Sequence, residues 1–233
     1  MSYRKDLRFL TTITLFFLFH TTSLSQPLKV IRKVKAYRQQ VAKDTAYKMI
    51  ELKTIIPNLV YDLRYGTTNN FMHQKLYSQT AASFLRINVA VALQKVAANL
   101  RTAGYGVKIF DAYRPYSVTK KMWDLIGDER YVANPAKGSG HNRGLAVDLT
   151  LINLATGEEL PMGTGFDAFS DTAHHSFLQL PAPILQNRNL LRTIMESAGF
   201  RALETEWWHY SWPNDRGYDV LDLPFKKLKA SKF

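Results

Sequence analysis

The chain has no cysteine, which excludes a disulfide framework and the thiolate sets that usually hold a structural zinc ion. It is short of acid: 19 Asp and Glu stand against 31 Lys and Arg, a formal net charge of +12. Such an excess suits an anionic partner, nucleic acid included. The basic residues are spread out, however, apart from a run at Lys29, Arg32, Lys33, Lys35 and Arg38. No nucleic-acid partner is therefore expected. The run reads as a solvated segment, with loose attraction to an anionic cell wall or membrane surface as its second reading. A long apolar run is missing too. Phe9 to Phe19 is broken by threonines and is too short to read as a spanning helix. Repeats and low-complexity stretches are absent.

What the N-terminus does have is an export pattern. Arg4, Lys5 and Arg8 form a basic start, the apolar stretch follows, and Ser23-Leu24-Ser25 offers small residues at cleavage spacing. Residues 1–25 are expected to be a signal peptide cut after Ser25, the alternative being an uncleaved anchor. The mature protein is then secreted across the inner membrane into the periplasm, with no stable membrane insertion. Residues 26–49 read as a linker or N-terminal extension, and 50–233 as one domain. A hydrophobic content of 46% is enough for a sizeable core.

Patterning along 50–233 mixes helices and strands. Leu59 to Tyr65, Val107 to Phe110, Leu145 to Ile152 and Glu206 to Trp212 read as strands. Phe84, Ile87, Val91, Val96 and Leu100 fall near a helical stripe that Gly104 stops. Ser117 to Ile126 reads as a helix capped by Ser117 and ended near Gly127, and Asn187 to Ala198 as a helix ended by Gly199. The expected fold is α+β: a single domain with a central, mostly antiparallel sheet and flanking helices.

The chemistry sits in Ser139-Gly140-His141-Asn142-Arg143-Gly144-Leu145-Ala146-Val147-Asp148 and in Glu206-Trp207-Trp208-His209. His141, Asp148 and His209 offer two imidazoles and a carboxylate. Three protein ligands leave one of zinc's four positions open, the catalytic arrangement. Glu206 can then act on water in that position. One Zn2+ per chain is expected, on the sheet and its adjoining loops. Glu206 and His209 are three residues apart, so on a regular strand they face opposite ways. If both serve the site, the backbone near Trp207 has to bend or bulge.

The pattern Ser-x-His-x-x-Gly-x-Ala-x-Asp followed by Glu-x-x-His resembles that of the D-alanyl-D-alanine dipeptidases, the VanX-like zinc peptidases. Tyr61-Asp62-Leu63-Arg64-Tyr65 with Asn69-Asn70-Phe71, Asp111-Ala112-Tyr113-Arg114-Pro115, Pro161-Met162-Gly163 through Phe166-Asp167, and Gln186-Asn187-Arg188 through Gly199-Phe200 resemble further family segments. The likeness runs from about Ile50 to Phe225, in the family's order. It implies that Arg114 stabilises the tetrahedral oxyanion or holds substrate, that Asp167 meets the substrate ammonium, and that Ser139 and Tyr65 grip the dipeptide termini. Asp111 reads equally as orienting Arg114 or a ligand and as structural. His174 and His175 read as structural, with a place behind a ligand as the alternative for one of them, and Trp207 and Trp208 as core or pocket wall.

The resemblance implies zinc-dependent hydrolysis of D-alanyl-D-alanine into two D-alanines, with Glu206 as general base. The alternatives are a D,D- or L,D-carboxypeptidase acting on longer peptidoglycan stems and, further off, a non-catalytic cell-wall-binding module. A cavity closed at the substrate's amino end favours the dipeptidase, and an open groove the carboxypeptidase.

Overall fold

The computed structural model describes residues 27–77 and 82–231. The expected signal peptide, residues 1–25, lies outside them. The N-terminal half contains β1 (Val30–Ile31), α1 (Val34–Lys43), β2 (Met49–Glu51), β3 (Val60–Tyr61), β4 (Phe84–Arg86), α2 (Ile87–Thr102), β5 (Tyr105–Asp111) and α3 (Tyr116–Ile126). There follow α4 (Gly140–Arg143), β6 (Ala146–Asn153), α5 (Ala182–Ser197), β7 (Arg201–Leu203), β8 (Glu206–Ser211), β9 (Val220–Leu221) and α6 (Phe225–Lys229).

A five-stranded sheet in the order β3-β5-β6-β8-β7 forms the centre. Only β3 and β5 run parallel, so the sheet is mostly antiparallel, as expected. β6 is its axis and is covered on both sides. Val147, Leu149 and Leu151 join the core built with Val89, Leu93 and Val96 of α2 and Leu191 and Met195 of α5. Burying leucines such as Leu149 and Leu151 contributes about 1.5–3 kcal/mol each. The alternate residues of β6 face the other way, and Asp148 is among them. α2 and α5 thus cover one face of the sheet, and the site lies on the other.

Several elements differ from their expected form, each for a local reason. The strand at Leu59 to Tyr65 shrinks to Val60–Tyr61, because the chain turns into a short 3-10 helix at Arg64–Gly66. In α2 the buried stripe is Val89, Leu93, Val96 and Leu100, while Val91 is 40% exposed and Phe84 belongs to β4. α5 starts at Ala182 instead of Asn187, since Pro183 stands in the first turn, where no N–H is needed. Ser117 does not cap α3. Its backbone N–H instead donates to Asp222 Oδ1 at 3.0 Å, a partner distant in sequence.

The segment 26–49, expected as a linker or extension, is packed from Val30 onward. β1 pairs in parallel with β9, and Tyr37 and Val41 of α1 are buried with Leu221, Leu223, Phe225 and Leu228 in a second core cluster. Tyr37 and Val41 lie four apart on one helical face, a spacing too short to stand out in a basic stretch. Arg86, fully buried, ties this side to the site. It donates from Nε to the Arg143 carbonyl at 2.8 Å, from Nη1 to the Tyr47 carbonyl at 2.5 Å and from Nη2 to the Asp219 carbonyl at 3.3 Å. Burial pulls its pKa down to about 10.

Candidate active site

Cross-strand register builds the centre of the site. Asp148 on β6 pairs with His209 on β8 on one side and with Asp111 on β5 on the other. The second pairing depends on a bulge: Ile109 pairs with Leu149, yet Asp111, two residues on, pairs with Asp148. The extra residue on β5 re-aims Asp111 towards the site face.

His141 arrives from α4, a four-residue helix. Ser139 accepts the His141 N–H at 3.1 Å, and Asn142 Oδ1 accepts the Ser139 N–H at 3.0 Å, a reciprocal capping box. Asn142 Nδ2 also donates to the Arg114 carbonyl and to Thr119 Oγ1. Gly144 ends the helix at φ +70°, and a Cβ there would come within 2.5 Å of the Met49 side chain. The sequence therefore needs glycine at that point. His141 Nδ1 donates to the Ala112 carbonyl at 2.7 Å, leaving the Nε2 lone pair directed at the other two groups.

The result is a compact donor set. His141 Nε2 lies 3.2 Å from His209 Nδ1 and 3.4 Å from Asp148 Oδ2, and His209 Nδ1 lies 2.9 Å from Asp148 Oδ1. One ligand atom from each residue falls within 4.8 Å of the others. Two nitrogens and a carboxylate oxygen, with one imidazole fixed by a backbone carbonyl, suit a zinc ion with an open position. Burial would raise the Asp148 pKa, but the His141 and His209 imidazoles more than offset it and hold the carboxyl well below its usual range. Burial would lower His209, and its bond to Asp148 raises it instead.

Glu206 and His209 do reach the same cavity. β8 carries three more residues than β7 across the step where Ala202 pairs with Tyr210 and Leu203 with Glu206. That irregularity spans residues 207–209 and breaks strict alternation where the spacing required it. Glu206 Oε2 lies 3.9 Å from His209 Nδ1. Burial pushes the Glu206 pKa up to about 7; His209, Arg114 and a bond from Trp208 oppose the rise, and Asp148 adds to it.

Arg114 lies over the Tyr65 ring, 4.9 Å from its centroid, with Nη2 3.9 Å from Asp148 Oδ2. Its Nε and Nη2 both reach Asp111 Oδ2, at 2.9 and 2.8 Å. The Tyr65 hydroxyl lies 3.0 and 3.1 Å from the two oxygens of Asp167, whose backbone is left-handed at φ +60°. Burial, with the Asp148 charge adding to it, holds the Asp167 carboxyl well above the ordinary range.

Tyr65, Arg114, Ser139, His141, Asp148, Asp167, Glu206 and His209 all line one cavity of about 240 Å³. Trp208 is part of its wall, while Trp207 is core and donates to Thr164 Oγ1. Neither His174 nor His175 lines it. Glu129, Arg130 and Tyr131, from the connection between α3 and α4, also line the cavity. Nothing in their sequence marks them, because only the path of that connection brings them there.

Comparison with known proteins agrees with this geometry. A family model described as D-ala-D-ala dipeptidase matches residues 44–228. The D-alanyl-D-alanine dipeptidase of Escherichia coli (strain K12) is 34% identical over 174 residues, covering 75% of this chain and 89% of that protein. Those of Enterococcus faecalis (strain V583) and Enterococcus faecium are each 33% identical, over 178 and 199 residues. These matches cover 68% and 75% of this chain, and 88% and 96% of the relatives. With its motifs in order, its donor set assembled and most of its length matched, the chain belongs to the D-alanyl-D-alanine dipeptidase family.

Proposed function

We propose that this protein is a zinc metallopeptidase that hydrolyses D-alanyl-D-alanine to two D-alanines. The observation that carries the reading is the convergence of His141, Asp148 and His209 within 4.8 Å of one another, with Glu206 beside them. His141, Asp148 and His209 would hold one zinc ion per chain, which would polarise the scissile carbonyl and lower the pKa of water to about 7. Glu206, largely buried with Oε2 3.9 Å from His209 Nδ1, is placed to accept a proton and pass it to the leaving amine. Arg114, its fork held by Asp111, offers its remaining guanidinium edge to the oxyanion or to a substrate oxygen.

The dipeptide termini have partners of the right kind. Asp167 is a buried carboxyl with no cation bonded to it among the described residues, so an arriving ammonium restores its ionised form. Tyr65 holds that carboxyl in place. Ser139 spends an acceptor on the His141 N–H and keeps its hydroxyl hydrogen for a substrate oxygen. The cavity, about 240 Å³, is below the roughly 300–1,000 Å³ of ordinary ligand pockets. That size suits a dipeptide, and the buried Asp167 carboxyl in the lining supplies a partner for its ammonium, which supports the dipeptidase over the carboxypeptidase.

The reading includes export. The basic start, apolar stretch and Ser23-Leu24-Ser25 support a signal peptide over residues 1–25 and a periplasmic protein acting on released wall peptides. Among the described residues, no helix is long and apolar enough to cross a membrane. Amino-acid release from D-alanyl-D-alanine and from a stem pentapeptide, each with and without added zinc, tests the function. Zinc-dependent release from the dipeptide alone is expected; preferential cleavage of the pentapeptide overturns the reading in favour of the carboxypeptidase.

A further inference from the structure

The Arg114 side of the site is held from behind by a residue that lines no part of the cavity. Tyr77 is buried, and its phenol donates to Asp111 Oδ1 at 2.5 Å. The other oxygen, Asp111 Oδ2, accepts from Arg114 Nε and Nη2 at 2.9 and 2.8 Å. The carboxylate is therefore divided between two partners, phenol on one oxygen and guanidinium on the other. It cannot rotate to follow Arg114 without breaking the phenol bond. Asp111 itself is fully buried, so no water stands ready to replace that donor.

Tyr77 also supports the other side of the cavity, by different atoms. The N–H groups of Leu76 and Tyr77 donate to the Tyr65 carbonyl at 2.9 and 2.8 Å. The Tyr77 and Tyr65 rings meet edge-on with centroids 5.9 Å apart. Tyr65 in turn underlies Arg114 and bonds Asp167. The hydroxyl of Tyr77 thus acts on Asp111 and Arg114, and its ring and backbone act on Tyr65 and Asp167.

We propose that Tyr77 is a positioning residue: its hydroxyl locks Asp111, and through it Arg114, in the orientation the reaction uses, while its ring steadies the Tyr65–Asp167 pair. The inference rests on the proposed function, because it gives Arg114 work at the reacting carbonyl. A tyrosine that only filled space would leave catalysis indifferent to its hydroxyl. Here the hydroxyl is the one donor to Asp111 Oδ1 among the described residues.

The test compares Tyr77→Phe, Tyr77→Leu, Arg114→Lys and the Tyr77→Phe/Arg114→Lys double variant, each checked for fold by circular dichroism and for zinc content. Tyr77→Phe keeps the ring, so kcat on D-alanyl-D-alanine should fall about tenfold while KM stays within about twofold. Tyr77→Leu removes the ring as well and should also raise KM. Once the Arg114 fork is gone, Tyr77→Phe should cost less than about twofold more, because both changes act through one arrangement. An unimpaired Tyr77→Phe, or effects that multiply in full in the double variant, overturn the inference while leaving the proposed function in place. A failure of the unaltered zinc-loaded protein to cleave the dipeptide overturns the proposed function and the inference with it.

Discussion

Glu206 is buried beside Asp148, and burial pushes its pKa from 4.5 up to about 7. The same burial sets catalysis against stability. As a base the residue has to be ionised, so kcat/KM should fall as pH drops on an acid limb at or below about 7, since bound zinc draws the value down. Glu206→Gln keeps the size and removes the base: kcat should fall by about two orders of magnitude or more with zinc content unchanged. Stability moves the opposite way. The folded pKa lies above the unfolded one, so the metal-free wild-type protein loses stability as pH rises from 4.5 to about 7. Metal-free Glu206→Gln should therefore be more stable than wild type by up to about 3 kcal/mol above pH 7, with the gain vanishing at pH 4. Chemical denaturation at the two pH values checks this, and equal stability at both removes the burial argument. Asp167 is tested through the substrate. Acetylating D-alanyl-D-alanine removes the ammonium, and losing a charged hydrogen bond costs about 1.5–3 kcal/mol. The acetylated dipeptide should be at least about tenfold poorer in kcat/KM. Asp167→Asn should shrink that gap by slowing the free dipeptide most, and equal wild-type rates on the two substrates would count against the contact.

Among the elements, the short ones govern the site. α4 is only four residues long, and its single turn is held by Ser139, Asn142, Gly144 and the buried Arg86 guanidinium. Gly144→Ala places a methyl against Met49 in a left-handed backbone position, which costs roughly 1–2 kcal/mol before any clash is counted. The turn should shift, and His141 with it. Lower zinc affinity alongside a lower melting temperature is the expected result, read by metal titration and thermal unfolding. Retention of full affinity would show that His141 is held independently of the turn. The motif showed that His141 and Asp148 belong together, while the tight turn at Gly144 emerged only from the backbone, left-handed there at φ +70°. The bulge at Phe110 and the three extra residues of β8 were not legible either. The spacing of Glu206 and His209 demanded an irregularity, but only pairing with β7 located it.

Across the whole molecule, the N-terminal segment changes what counts as the domain. Residues 30–49 pack with the C-terminal end, β1 on β9 and Tyr37 and Val41 against Phe225 and Leu228. A chain starting at Ile50 should therefore be strongly destabilised, whereas one starting at Gln26 should fold and match the mature exported protein. N-terminal sequencing of exported material and unfolding of the two chains check both halves; a stable, active chain from Ile50 would show the packing to be dispensable. The sequence by itself marked the candidate donor set and candidate base, the order of the segments and the α+β class, because these rest on residue types and short spacings that local chemistry constrains. Tertiary structure alone decided the partners that are distant in sequence: Tyr77 behind Asp111, Asp222 at the start of α3, Arg86 beneath α4, and the loop of Glu129 to Tyr131 at the cavity. Those contacts have no period and no motif. They exist because close packing brings distant residues together, and buried polar groups then require a partner from whichever segment the fold places beside them.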